Sequence, residues 1–484
     1  LSRWRSAGPL ALLLALSSVL TAPPASAAEP GGGIRWERCD GAPEQNPVRC
    51  AKVVVPTDWS TVDGSRVNLR VAMAPAARPE QRIGVLLFNP GGPGASAADL
   101  LTNPEYFAEY FPSELRDRFD IVGVDPRGVG GSQALTCSLP PDDPAVTRFP
   151  ADARQAGQLM AANARLAKSC VDGSGPLVGH VDTESVARDL DHVRRLLGEE
   201  RISFLGISYG TMVAQSYAEL FPRRLRALAL DGVVDRAHPW RQLLEDNTSA
   251  VEDGVGRFAT WCAANETCAL HGQDVRAVIR RVLAKADAHP VPAGDHAFDA
   301  EQITEALTGA IGGPGRFPFA AKGLREIDEG GDASALLPFS RYADSEGRAL
   351  FRAISCQGVI APANQGELVE ASRRIRQLGP TLRGASESWD ILSGCAGWPI
   401  PSPWRPHAWR VPQDFTRTLL VSGAHDVSTP RAWAESVHQQ IPNSVLLRWE
   451  GDGHTAWLAN HNPQARQATA RYLIDPATPV SSMD

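Results

Sequence analysis

Residues 202–220 constrain the fold more tightly than any other stretch of this chain. Ile202 to Leu205 (ISFL) is a short apolar run, Gly206-Ile207-Ser208-Tyr209-Gly210 follows at once, and Thr211 to Leu220 (TMVAQSYAEL) has helical character. The order predicts a buried strand that turns sharply into a helix, with a serine at the bend. The glycines make room for the turn, and a serine held there presents its hydroxyl clear of the backbone. The start of the following helix favours negative charge that develops beside it.

The same rhythm recurs elsewhere. Gly84 to Phe88 (GVLLF), Ile121 to Val124 (IVGV), Leu225 to Leu230 (LRALAL), Thr418 to Val421 (TLLV) and Val445 to Trp449 (VLLRW) read as strands covered on both faces. Val53 to Val55 and Val67 to Ala72 read as an opening antiparallel pair. Val186 to Leu197 (VARDLDHVRRLL) has helical spacing and leads into the strand before Ser208. Strands alternating with helices predict an α/β fold with a mostly parallel central sheet. Residues 235–410 break that rhythm. They hold helical patterns at Asp274 to Ala288 and Gln302 to Ile311, many Gly and Pro, and four of the cysteines. We expect residues 28–234 to form the first part of the core, 235–410 a largely helical cap insertion, and 411–484 the rest of the core with a loose tail from Ala477 to Asp484.

Chemistry is expected where strands end. A serine at its ordinary pKa needs a base. Eleven histidines are present, and position chooses among them: His454 sits in a Gly-rich loop after the last expected strand. His425, His438 and His461 are expected at the surface or in packing. Asp426, after the preceding strand, is the acid expected to hold the base's tautomer, and Asp231, at the end of Leu225 to Leu230, is its rival. Ser208, Asp426 and His454 occur in the chain order of α/β-hydrolase triads. Asn89-Pro90-Gly91-Gly92-Pro93-Gly94 follows another strand. Its Gly92 N–H, with Gly91 next in line, and the N–H of Tyr209 are the expected oxyanion donors. Asp125 and Arg127, in DPRGVGGS, are expected to brace their loop by pairing with each other. No phosphate-cradling motif and no CxxC or HxxxH ligand pair is present, so neither a cofactor nor a metal is expected.

Taken together, these motifs resemble those of the secreted bacterial tripeptidyl aminopeptidases, relatives of the prolyl iminopeptidases. The likeness is carried by Trp36, Cys39 through Cys50, NPGGPG from Asn89, DPRGVGGS from Asp125 and DLDHVRRLLG before GISYGT. It continues through Trp261-Cys262, Cys268, Cys356, Cys395-Ala396-Gly397-Trp398 and the loops of Asp426 and His454. One departure is that no Cys follows Cys395, whereas members often carry one after the histidine. The resemblance implies an α/β-hydrolase fold and removal of short peptides, of tripeptide length, from a free N-terminus. Such an enzyme must bind an ammonium group, which is costly to desolvate unpaired. Glu245, Asp246, Glu252 and Asp253, early in the insertion, are the expected carboxylates. A carboxylesterase acting on lipid or small esters is the competing expectation, because a triad does not choose its acyl group. The complete triad argues against a noncatalytic binding protein.

The remaining features concern the compartment. Arg3 and Arg5, the apolar run Leu10 to Leu20 and Ala25-Ser26-Ala27 read as an export signal of residues 1–27, with cleavage after Ala27 or, second, Ala28. The run is too short to cross a bilayer of roughly 30 Å. Eight cysteines suit an oxidising compartment. They permit 105 pairings, and near neighbours are expected to pair: Cys39 with Cys50, Cys137 with Cys170, Cys262 with Cys268 and Cys356 with Cys395. The net charge of −7 and the lack of a long basic run exclude a nucleic-acid surface and give no reason to expect a membrane partner. Peptides with free N-termini are the expected partners, and the expected location is secreted.

Overall fold

The computed structural model describes residues 33–40, 47–61, 64–138, 143, 145–340, 345–458 and 462–482. The expected export signal and His461 lie outside them.

A nine-stranded sheet organises the molecule. Its strands are β1 (Glu37–Arg38), β2 (Arg49–Pro56), β3 (Arg66–Ala74), β4 (Gly84–Asn89), β5 (Phe119–Val124), β6 (Ile202–Ile207), β7 (Leu225–Asp231), β10 (Thr418–His425) and β11 (Ser444–Asp452); β8 (Val291–Ala293) and β9 (His296–Phe298) form a separate hairpin. The order across the sheet is β1-β2-β3-β5-β4-β6-β7-β10-β11. β1, β2 and β3 pair antiparallel up to β5, and every pairing from β5 to β11 is parallel. Every residue of β4 and β6 is buried, as continuous apolar strands between two helical layers must be.

Alternate residues of β6 feed two cores. Ile202 and Phe204 pack with Val186, Leu190, Val213 and Tyr217 from the helices on one face. Leu205 and Ile207 pack with Leu101, Leu115 and Leu473 from helices on the other. All parallel strands end on one side, so the residues that follow them gather at one rim.

Above that rim lies a third core of mainly helical elements, from Trp240–Ala264 to Glu387–Cys395. It also takes in Phe149, Ala156 and Leu159. The helix Ala153–Ser174, expected with the sheet, therefore packs with the cap: Asn163 Nδ2 donates to the carbonyls of Ser393 (2.9 Å) and Ala396 (2.7 Å). Its apolar residues Ala156 and Leu159 are buried in the cap core.

The four disulfides join the expected neighbours: Cys39–Cys50, Cys137–Cys170, Cys262–Cys268 and Cys356–Cys395. Two other expectations are corrected. Arg127 does not pair with Asp125. It forms a bidentate ion pair with Asp189 (2.6 and 2.7 Å), because the buried guanidinium points toward the helix Thr183–Leu196. Asp125 instead accepts Ser96 Oγ–H (2.6 Å) and the N–H groups of Ala98 and Gly131 (3.0 Å each). The segment after Ala477 is tied down at its start, where Arg417 Nη1 donates to the carbonyls of Pro476 (2.7 Å) and Thr478 (2.8 Å). Among the described residues, no helix is long and apolar enough to cross a membrane.

Candidate active site

Ser208 stands where β6 meets the helix Tyr209–Leu220, with φ 55° and ψ −124°. This left-handed conformation is strained for a non-glycine residue and is held by its surroundings. Ser208 N–H donates to Asp231 O at 2.8 Å, and Thr211 N–H to Ser208 O at 2.8 Å. The glycines of the motif permit close backbone approach: a Cβ on Gly210 would lie 2.4 Å from Asn89 O. The NPGGPG loop is thereby pressed against the serine turn, and a Cβ on Gly91 would lie 3.1 Å from Tyr209 N.

That loop separates the two oxyanion candidates. Gly91 N–H is already donated to Asn89 Oδ1 at 3.0 Å. Gly92 N–H and Tyr209 N–H have no protein acceptor among the described residues. Both belong to residues that line the same cavity as Ser208. The pair expected from sequence is thus brought together, and the second choice, Gly91, is committed elsewhere.

Asp426 and His454 meet above β10 and β11. His454 Nδ1 lies 2.9 Å from Asp426 Oδ2 and 3.0 Å from Oδ1. A carboxylate only accepts, so Nδ1 carries the proton and the basic lone pair sits on Nε2. Asp426 is 2% exposed. It is held by Ser428 N–H (2.8 Å), Thr429 N–H (2.9 Å) and Thr429 Oγ1–H (2.8 Å). Burial pushes its carboxyl up, but His454 and the hydrogen bonds from Thr429 outweigh this and hold it below the ordinary value. For His454, burial opposes the cation. The charge and hydrogen bond of Asp426, with the charges of Glu387 and Asp231, outweigh it and push the imidazole up to about 9.

Glu387 was not foreseen. It is the first residue of the cap helix Glu387–Cys395, and it lines both the cavity over Ser208 and a second cavity that contains His454. Burial pushes its carboxyl up, against the pull of His454 and a hydrogen bond with Ser428. The two cavities differ in character. Met212, Leu243, Val359, Leu392, Trp404 and Trp433 make the Ser208 cavity apolar. Arg148, Glu301, Glu305 and Asp390 make the other charged. A signal for Glu387 existed in Ser386-Glu387, a helix cap followed by an acid, but nothing local places that cap at the rim.

The four expected carboxylates, Glu245, Asp246, Glu252 and Asp253, each have partners in the fold. None lines either cavity. Glu245 pairs with Arg374 (3.0 Å), and Glu252 pairs with Arg276 and accepts Thr381 Oγ1–H (2.6 Å). Asp246 accepts from Gln242 (2.6 Å) and Trp433 Nε1 (3.1 Å), and Asp253 pairs with His425 (2.7 Å). Their helix, Trp240–Ala264, turns these faces toward neighbouring cap helices and the ends of the strands. His438 makes a packing contact with Ser444 Oγ (2.8 Å). Asp231, the rival acid, binds the loop after His454 through its carboxylate. Among the described residues, no cluster of three His, Cys, Asp or Glu is disposed to hold a metal.

Residues 84–306 match the family described as alpha/beta hydrolase fold, and residues 381–483 match the one described as TAP-like protein. The serine protease Hip1 of Mycobacterium tuberculosis is 31% identical, over 99% of this chain and 96% of that protein. Carboxylesterase B of the same species is 32% identical, over 96% and 94%. The tripeptidyl aminopeptidase of Streptomyces coelicolor is 29% identical, over 92% and 84%.

Proposed function

Since the chain belongs to the tripeptidyl aminopeptidase family of α/β-hydrolases and is a serine hydrolase, we propose that it is a secreted exopeptidase releasing short peptides, of tripeptide length, from free N-termini. Ser208 is the nucleophile, His454 the base and Asp426 the acid. Ser208 Oγ attacks the scissile carbonyl while its proton passes to His454 Nε2. The oxyanion is received by the N–H groups of Gly92 and Tyr209, which are preorganised for charge that forms only in the transition state. The imidazolium then protonates the departing amine, and the C–N bond breaks. Water, deprotonated by His454, attacks the acyl-enzyme and frees Ser208. Asp426 stabilises the imidazolium throughout. Residues 235–410 cap the cleft and limit the length of the acyl portion, and the four disulfides support an exported protein.

One observation carries the peptidase reading: Glu387, a carboxylate in the wall common to both cavities. It supplies the counter-charge an α-ammonium requires on leaving water. A hydrogen bond between charged groups contributes about 1.5–3 kcal/mol, which is about a tenfold to a hundredfold effect in kcat/KM. Glu387→Gln is therefore expected to lower kcat/KM for tripeptide p-nitroanilides with free N-termini by that factor. Above the acid limb, where His454 is neutral in parent and variant alike, acetyl-blocked substrates should be unchanged; below it both substrate classes shift with the limb, because Glu387 also raises His454. Equal cleavage of free and blocked peptides by the parent enzyme would sink the exopeptidase reading.

The apolar wall of the Ser208 cavity favours a second reading, carboxylester hydrolysis with the same triad. Rapid cleavage of short acyl esters with no amide cleavage would establish it. Ser208→Ala should abolish labelling by a fluorophosphonate probe under either reading, and persistent labelling would remove Ser208 as the nucleophile.

A further inference from the structure

Asp231 is the last residue of β7 and is 1% exposed. Its two polar ends hold two different parts of the site. The backbone carbonyl accepts Ser208 N–H at 2.8 Å. The carboxylate accepts Ala456 N–H at 2.9 Å (Oδ2) and Trp457 N–H at 2.7 Å, directly beyond His454. Among the described residues, no Lys or Arg forms an ion pair with this carboxylate. A buried acid without a cation is costly, and burial pushes Asp231 up to about 7. The two loop amides and the charge of His454 offset part of that cost.

The neighbouring backbone extends the contact. Gly232 has φ 68°, and a Cβ there would lie 3.0 Å from His454 Cε1 and 2.8 Å from Thr455 Cγ2. The imidazole therefore rests against bare backbone. Gly232 N–H donates to Val421 O at 3.2 Å, joining the same point to β10, the strand that leads to Asp426.

We propose that Asp231 is a positioning residue for the reaction: its main chain sets the nucleophile's turn and its side chain sets the loop that bears the base. The inference rests on the assignment of Ser208 and His454 above. A carboxylate suits the task because two N–H groups converge on it. Oδ2 takes the shorter bond from both, and Ala456 N–H also lies 3.2 Å from Oδ1, so an asparagine amino group in the Oδ1 place would face that donor. Displacing the loop by about an ångström costs about a hundredfold in rate. The charge also acts on the base. The charged groups facing His454 are Asp426 from the loop after β10, Glu387 from the cap and Asp231 from β7.

Asp231→Asn in the otherwise intact protein tests this. Esters and free-N-terminal tripeptide anilides should both lose about a hundredfold in kcat, with KM within about threefold of the parent. The acid limb of the kcat/KM profile should move to lower pH, because a negative charge beside the imidazole is gone. An unchanged kcat overturns the proposal. So does a lower kcat with an unmoved limb, which reports a packing defect alone. Should the variant fail to fold, hydrogen exchange in the parent decides. The amides of Ala456 and Trp457 should be as protected as those of β7, and exchange at loop rates overturns the clamp. Failure of the nucleophile assignment is read separately, from persistent labelling of Ser208→Ala.

Discussion

At His454, three carboxylates act on one imidazole and push it up to about 9 from an ordinary value of 6.5. As the proposed base, His454 works only when neutral, so the acid limb is expected on the alkaline side of 6.5. We expect kcat/KM to rise with pH through neutrality, measured on a substrate with no titrating group. Asp426→Asn removes the largest stabilising charge, so the limb should move down while kcat falls by up to about ten-thousandfold, because the ring loses its tautomer. Gly232→Ala is a steric test of the same place. Its Cβ meets His454 Cε1 at 3.0 Å and carries a positive φ, so activity should fall at least tenfold with little change in KM. At this scale the placing of the proposed triad was legible in the chain. Ser208, Asp426 and His454 each follow a strand within a few residues, and strand ends gather at one rim. Glu387 was not legible, because its place at that rim depends on helices packing far from it in sequence.

Among the elements, the helix Trp240–Ala264 does most to join cap to sheet. Asn247 is 0% exposed. Its Nδ2 donates to Val427 O (2.7 Å) and Ser428 O (3.1 Å), and its Oδ1 accepts Ser388 N–H at 2.9 Å. One side chain thereby ties the acid's loop to the helix that begins with Glu387. About three turns further on, Arg257 grips Asp452 at 2.6 and 3.0 Å. Asn247→Ala strands three backbone groups, one buried and two half-buried, and unsatisfied buried groups cost about 1–3 kcal/mol each before relaxation or water entry. We expect a loss of about 3 kcal/mol in stability by denaturant titration, together with a raised KM for free-N-terminal peptides. The helix itself was readable, since apolar spacing fixes a face. Which acids that face would leave near Ser208 was not. Glu245 and Glu252 each meet an arginine from a segment more than twenty residues away, and pairings of that kind leave no local pattern. Arg127 shows the same limit, because Asp189 lies 62 residues further along.

Across the whole molecule, the cap is closed upon itself covalently. Cys356–Cys395 joins the helices Ser345–Gly358 and Glu387–Cys395 across a separation of 39 residues. Both helices contribute to the Ser208 cavity, through Ser355 and Gly358 from one and Glu387 and Leu392 from the other. Closing a loop of that length restrains the unfolded chain by about 4 kcal/mol in the chain-entropy account. Replacing both cysteines by serine should lower the thermal midpoint and raise KM more than it lowers kcat, as the pocket wall loosens while the triad stays on the sheet. The near-neighbour pairing of cysteines and the alternation of strands and helices were both visible in the chain. The allegiance of Ala153–Ser174 to the cap was not, since its amphipathic face suits either lobe.

That allegiance bears on how the protein comes to be made. Asn163 finds its acceptor on Ala396, 233 residues later. At roughly 5–20 residues per second, a ribosome takes on the order of 10 to 50 s to supply it. Whether the chain emerges from a ribosome or from an export channel, that helix lacks this partner until Ala396 has followed it out. Vectorial synthesis therefore cannot finish this molecule lobe by lobe. The first half waits, apolar face uncovered, for the second.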